Sequence, residues 1–179
     1  MQQNAPVSLN KALVLAGLAG LFFIMTGKAQ ATINKLPGQS KVPGQNQPRG
    51  IRNNNPLNIR YSAANDWQGQ TGSDGEYAIF ESAQYGIRAA AKLLNNYVTK
   101  YGLRSVSGII NRWAPTSENN TSAYIQAVAN KLNVQADDVL LWPTQLKPLL
   151  EAMIHHENGV QPYSQAAIIN GIKLAGIYE

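Results

Sequence analysis

From residue 82 onward, apolar positions return every three or four residues, and the residues between them sit where caps and turns are needed. Ser82 is the expected cap of a long amphipathic helix whose stripe of Tyr85, Ile87, Ala90, Ala91, Leu94, Tyr97 and Val98 is closed by Gly102. Residues 105–113 predict a shorter helix ended by Pro115. Thr121 is the expected cap of a third, with Tyr124, Ile125, Val128, Ala129 and Leu132 on one face. Pro148 suits the first turn of a fourth, which carries Leu149, Leu150, Met153 and Ile154 up to Gly159. Ser164 opens a last one through Ile168, Ile172 and Ala175. Strand signal is confined to residues 58–62 and 76–80, separated by a Gly/Asp/Gln loop, and predicts a small antiparallel hairpin. The expected fold is mainly α, a helical domain with that hairpin over residues 50–179, a normal size for one core.

Upstream the pattern changes twice. Between Lys11 and Lys28 runs ALVLAGLAGLFFIMTG, without a charge, which as a helix spans roughly 24 Å, short for a bilayer core of about 30 Å. One reading is a cleavable export signal, since Ala29-Gln30-Ala31 has the small-x-small form of a cleavage site. The other, which we favour, is a retained anchor whose flanking lysines snorkel to the headgroups, so that residues 12–27 engage a membrane. Residues 32–49 read TINKLPGQSKVPGQNQPR, where repeated Pro-Gly breaks and scarce apolar residues predict an extended tether. The expected organisation is an anchor or signal over 1–31, a linker over 32–49 and one domain over 50–179.

Charge sharpens this division. The 15 Lys and Arg against 10 Asp and Glu give a net charge of +5. The excess lies entirely in Lys11, Lys28, Lys35, Lys41 and Arg49, and the domain itself is balanced. A nucleic-acid binder carries its basic stripe on the fold, so no nucleic-acid partner is expected. The chain has no cysteine, which removes disulfides, a thiolate nucleophile and Cys-ligated metal from consideration. Neither a phosphate-binding Gly loop after a strand nor a nucleophile elbow is present. No cofactor is expected.

Glu157 continues the apolar stripe of Leu149, Leu150, Met153 and Ile154 by one helical step, which turns a carboxylate toward the core. It also falls in the last helical turn, where the negative end of the macrodipole disfavours a further negative charge. Desolvation and dipole both raise its pKa, and such a carboxyl suits a general acid near neutral pH. The competing reading is a frayed or structurally paired glutamate, with His155, His156 or an arginine as partner. Adjacent helix positions point about 100° apart, so His155 and His156 do not chelate one metal ion together. Asn53, Asn54, Asn55 and Asn58 form a second cluster, followed by Tyr61, Trp67 and Tyr77. Amides offer donors and acceptors to hydroxyl and N-acetyl groups, and the rings offer stacking faces, so this set is the expected sugar-binding surface. A polar turn leading into the hairpin is the structural alternative.

The segments RGIRNNNPLNIRY, DWQGQ, YAIFESAQYGIRAAAKLLNNY, IINRWAPTSENNTSAYIQAVANKL and AMIHHENGVQPYS together resemble small phage-encoded, virion-associated proteins with a lysozyme-like fold that degrade peptidoglycan. HENG followed by Pro-Tyr-Ser is similar to the segment that ends in the catalytic Glu of lytic transglycosylases, and the Asn-rich stretch with Trp-x-Gly resembles the cleft-lining hairpin of related glucosaminidases and muramidases. In lytic transglycosylases the Glu-bearing helix precedes the hairpin, whereas here it follows. Leu57 stands where a type II turn in Asn-Pro-x-Asn would favour Gly, because Leu resists a positive φ.

The resemblance implies cleavage of peptidoglycan glycan strands with Glu157 as catalytic acid, no cofactor, and a role in opening the wall during phage entry or assembly. It implies a membrane-associated virion location with other virion proteins as partners, and action in the bacterial envelope or periplasm. Glu76 and Glu118 are the fallback carboxylates, and Asp66 and Asp74 are candidates for a second carboxylate brought in by the fold. A single acid favours the transglycosylase outcome, because hydrolases use two. The alternative function is a non-enzymatic virion structural or glycan-binding protein on the same scaffold.

Overall fold

A computed structural model describes residues 46–116 and 120–178. The expected anchor and nearly all of the linker lie outside the described residues, as does Glu118. Along the chain the elements are α1 (Arg49–Arg52), β1 (Gln70–Ser73), β2 (Ala78–Phe80), α2 (Ala83–Tyr101), α3 (Val106–Trp113), α4 (Thr121–Leu132), α5 (Leu146–Asn158) and α6 (Gln165–Leu174). The domain is mainly helical with a two-stranded antiparallel sheet. None of the described helices is long and apolar enough to cross a membrane.

α2 is the centre of the assembly and packs against β2, α3, α5 and α6. It buries Ile87, Ala89, Ala90, Ala91, Leu93, Leu94, Tyr97 and Val98, a broader face than the predicted stripe, because small alanines let neighbouring helices approach on two sides. Gly102 ends it in the left-handed conformation at φ 68°, as Gly159 ends α5 at φ 69°. Ser105 and Ser164 cap α3 and α6 through their hydroxyls, at 3.2 Å from the amides of Gly108 and Ala167.

α4 departs from the reading of its cap. Asn120 accepts from the Ala123 amide at 3.2 Å, while Thr121 is already helical and 1% exposed. The Thr121 hydroxyl donates instead to the Ala114 carbonyl at 2.6 Å, tying the end of α3 to the start of α4.

The hairpin also differs from expectation. Residues 76–80 do supply β2, but its hydrogen-bonded partner is Gln70–Ser73, read above as part of a loop. β1 has no apolar alternation, and the pairing is irregular between Gln70 and Gly72, so periodicity carries no sign of it. The predicted strand at 58–62 lies along the other side of β2 as an isolated Arg60–Tyr77 bridge, with the Ala78 amide donating to the Ile59 carbonyl at 2.9 Å. Leu57 and Ile59 enter the core there, each 1% exposed.

Gly86 shows how closely α2 meets the Asn-rich segment. A Cβ on it would stand 2.1 Å from the Asn54 carbonyl oxygen and 2.8 Å from Pro56 Cδ. Gly86→Ala is expected to destabilise the domain by about 2–3 kcal/mol through this overpacking, read as a lower denaturation midpoint. A change below about 0.5 kcal/mol would show that the loop moves aside freely.

Candidate active site

Glu157 sits in the last turn of α5, on the side that packs against α4. Its carboxylate accepts hydrogen bonds from Asn58 Nδ2 and from the Tyr124 hydroxyl, each at 3.0 Å, on different oxygens. The indole N–H of Trp113 is a third donor. Burial raises the Glu157 pKa from 4.5 to about 7, and the three donors, which favour the ionised form, offset only part of that. No charged side chain figures among the causes. Glu157 is therefore a carboxyl poised to hold or release a proton near neutrality, partly open to solvent, and held in place by neutral donors.

His156 stacks on Tyr124 with ring centroids 3.7 Å apart and planes at 17°. Its pKa is lowered by burial and then by His155, so it is the neutral imidazole that packs there. His155 is exposed. Neither histidine is hydrogen-bonded to Glu157, and no group of three or more His, Asp or Glu side chains gathers into a metal-binding set among the described residues.

The asparagines behave less like a ligand surface than expected. Asn55 is 0% exposed; its Nδ2 donates to the carbonyls of Ile59 at 2.9 Å and Ala78 at 2.8 Å, and its Oδ1 accepts from the Ile59 amide at 2.9 Å. It has neither surface nor free valence for a sugar, and its assignment as a binding residue is corrected to a strut between the loop and β2. Asn53 donates to Asp74 at 2.6 Å and Asn54 to the Phe80 carbonyl at 3.0 Å, so these amides also brace the hairpin. Asn58 alone turns its amide to Glu157. Positive φ falls on Asn54 (51°) and Asn58 (49°), which tolerate it, while Leu57 between them is a core residue.

Of the expected stacking rings, Tyr61 is 44% exposed and available, and Trp67 is partly buried against the core. Tyr77 is 3% exposed beneath the Arg49 guanidinium, 4.4 Å from its ring centroid, so it does not present a sugar-stacking face. Its hydroxyl pKa is pushed up to about 12 by burial and by the adjoining Glu76 charge.

The other carboxylates are engaged elsewhere. Arg49 pairs with Asp74 at 2.6 Å and with Glu76 at 2.8 Å, and Arg60 approaches Glu76 at 3.6 Å. Burial disfavours the Asp74 carboxylate, but Arg49, the Tyr77 and Glu76 amides and Asn53 outweigh it and hold its pKa well below the usual range. This network fastens Arg49, the last residue of the expected linker, to the hairpin. Asp66 is exposed in the loop before Trp67.

Two site residues escaped the sequence reading. Trp113 and Tyr124 figure there only as helix-forming apolar positions, and nothing local signals that their polar atoms meet Glu157. A groove of about 360 Å³ opens at the other end of α5, lined by Pro143, Leu146, Lys147, Ile172, Lys173 and Tyr178. Its lining is mainly apolar, with Lys147 and Lys173 as its charged residues, and Glu157 is not part of it.

No protein-family model matches the chain. Protein P5 of Pseudoalteromonas phage PM2 is 42% identical to it over 129 residues, which cover 70% of this chain and 80% of that protein. An alignment of that identity and extent places the two in one lineage, and the chain belongs to the family of Protein P5 of Pseudoalteromonas phage PM2.

Proposed function

We propose that this protein cleaves the glycan strands of bacterial peptidoglycan, with Glu157 as the general acid that protonates the glycosidic oxygen, on a domain of lysozyme-like type. The observation that carries the reading is the Glu157 carboxyl itself, raised to about 7 by burial and oriented by Asn58 and Tyr124. A carboxyl with that proton affinity is largely protonated on the acid side of neutrality and can still release its proton in the transition state. Tyr61 and Trp67 are the aromatic side chains left to meet sugar rings. Asp74 and Glu76 are held by arginines, which favours a scheme in which the substrate's own groups replace a second carboxylate.

The kinship with a phage protein supports a role in the virion. The apolar run at 12–27 supports a membrane tether from which the domain opens the wall during entry or assembly.

The test is muropeptide analysis of purified peptidoglycan after incubation with the wild-type protein and with Glu157→Gln. Anhydro-sugar ends from the wild type alone are expected, with the variant's rate reduced about 10²–10⁴-fold, the usual scale of general acid catalysis. Reducing ends would make the enzyme a hydrolase. Equal activity in both proteins would remove Glu157 from the chemistry. No release by either folded protein would favour the second reading, a glycan-binding or structural virion component.

A further inference from the structure

Two consecutive residues at the end of α5 reach back to the same short stretch of chain about a hundred positions earlier. Glu157 receives the Asn58 amide, and the next residue, Asn158, donates from its own Nδ2 to the Pro56 carbonyl at 2.7 Å. The same Nδ2 donates to the Ile154 carbonyl at 2.9 Å, within α5. Asn158 is 7% exposed, so both bonds are shielded from competing water. One side-chain amide thus fastens the last turn of α5 to the turn that carries Asn58.

α1 closes the arrangement from the third side. A Cβ on Gly50 would lie 2.8 Å from Asn158 Oδ1, 2.9 Å from the Asn55 carbonyl oxygen and 3.0 Å from Asn58 Oδ1, so only a glycine lets these three groups converge. Both amide oxygens are buried there without a hydrogen-bond donor. Each amide is therefore oriented by its NH₂ side alone, Asn58 by Glu157 and Asn158 by the two carbonyls. Asn58 also sits at φ 49°, a backbone state that neighbours must hold in place.

We infer that Asn158, with Gly50 packed beneath it, is a positioning residue that sets Asn58 against Glu157 and so fixes the direction of the acid. The inference rests on the general-acid reading of Glu157, and it predicts effects on a residue that Asn158 does not itself hydrogen-bond. Removing the Asn158 amide frees the 56–58 turn from α5, Asn58 Nδ2 withdraws from the carboxylate, and Glu157 keeps its burial with one donor fewer. Its neighbours in that state are Tyr124, Trp113 and the neutral His156 stacked on Tyr124, none of them charged.

The experiment uses Asn158→Ala in the full chain, alongside wild type and Glu157→Gln. Peptidoglycan turnover is measured together with a ¹³C NMR titration of the Glu157 carboxyl. We expect kcat to fall about 10²-fold with KM changed less than about threefold, the scale for a misplaced catalytic group. The carboxyl midpoint should move upward. A folded Asn158→Ala protein with wild-type turnover and an unmoved midpoint overturns the inference. An unmoved midpoint with Glu157→Gln inactive also overturns it and leaves the proposed function standing. A raised midpoint with Glu157→Gln fully active does the reverse, keeping the clamp and removing the catalytic reading. If Asn158→Ala does not fold, side-chain amide exchange in the wild type decides. Protons of Asn58 and Asn158 that exchange far more slowly than those of the exposed Asn170 support the clamp, and equal rates refute it.

Discussion

Asn55→Ala is expected to cost the domain about 3–5 kcal/mol, more than substitution of any other asparagine in the cluster. The side chain makes three buried hydrogen bonds, two as donor to the Ile59 and Ala78 carbonyls and one as acceptor from the Ile59 amide. Alanine replaces none of them. The Ile59 carbonyl keeps a partner, because the Ala78 amide donates to it at 2.9 Å, but the Ile59 amide loses its acceptor in a region that water does not reach. An unpaired buried donor carries most of its desolvation penalty, about 1–3 kcal/mol, and the lost bonds and the cavity add to it. Asn54→Ala is the contrast. That amide makes one bond, to the Phe80 carbonyl at 3.0 Å, from a partly exposed position, and its removal should cost about 1 kcal/mol. Denaturant unfolding of the two variants beside wild type checks the order; equal losses, or a loss under 1 kcal/mol for Asn55→Ala, would contradict the strut.

The contrast between these asparagines shows where the sequence was informative. Ser164, Gly102 and Gly159 bound helices through bonds or backbone angles that involve only near neighbours, which is why the sequence shows them, whereas Ser82 makes no side-chain cap bond and Asn120 caps α4 in place of Thr121. The stripe through Glu157 likewise predicted which side of α5 it faces, and the structure places it against α4 with a raised pKa. The functions of the amides depended on partners that no spacing reveals. Asn55 pairs with β2 across 23 positions, and Asn58 with Glu157 across 99. A polar residue in a run of polar residues carries no mark of being buried, so a strut and a ligand contact look alike in the chain. The same limit hid β1, whose residues gain their strand geometry from pairing with β2 and not from any pattern of their own. Trp113 and Tyr124 read as core residues because their rings are core; only their polar tips belong to the site.

The pH dependence of the protein is the second large effect expected, and it follows from one group whose pKa is raised by folding. In the unfolded chain Glu157 releases its proton near pH 4.5, whereas in the fold it keeps it to about 7. The folded state therefore binds more protons between those values. The stability this contributes is complete below the unfolded pKa and is lost as pH rises to about 7, a loss of about 3 kcal/mol for a shift of this size. Asp74 has the opposite sign, since its depressed pKa makes the fold lose stability on acidification, but that happens below about pH 4. His156 also opposes Glu157, because its pKa is lowered on folding and its contribution falls as pH drops through the histidine range. The Glu157 window reaches into the histidine range, so the measurement must be a difference. Glu157→Gln retains Asp74 and His156 and removes only the Glu157 proton. Wild-type stability relative to this variant should fall by about 3 kcal/mol between pH 4.5 and 7.5, and parallel curves would mean that Glu157 is not perturbed. The same proton sets the rate. A general acid must be protonated to act, so wild-type turnover should fall about tenfold per pH unit above the Glu157 midpoint. The thermodynamic and kinetic midpoints report one carboxyl by two routes. Agreement near pH 7 assigns the catalytic proton to Glu157, whereas a stability midpoint near 7 with a rate that stays level to pH 9 would leave the buried glutamate as a structural feature and place the acid elsewhere.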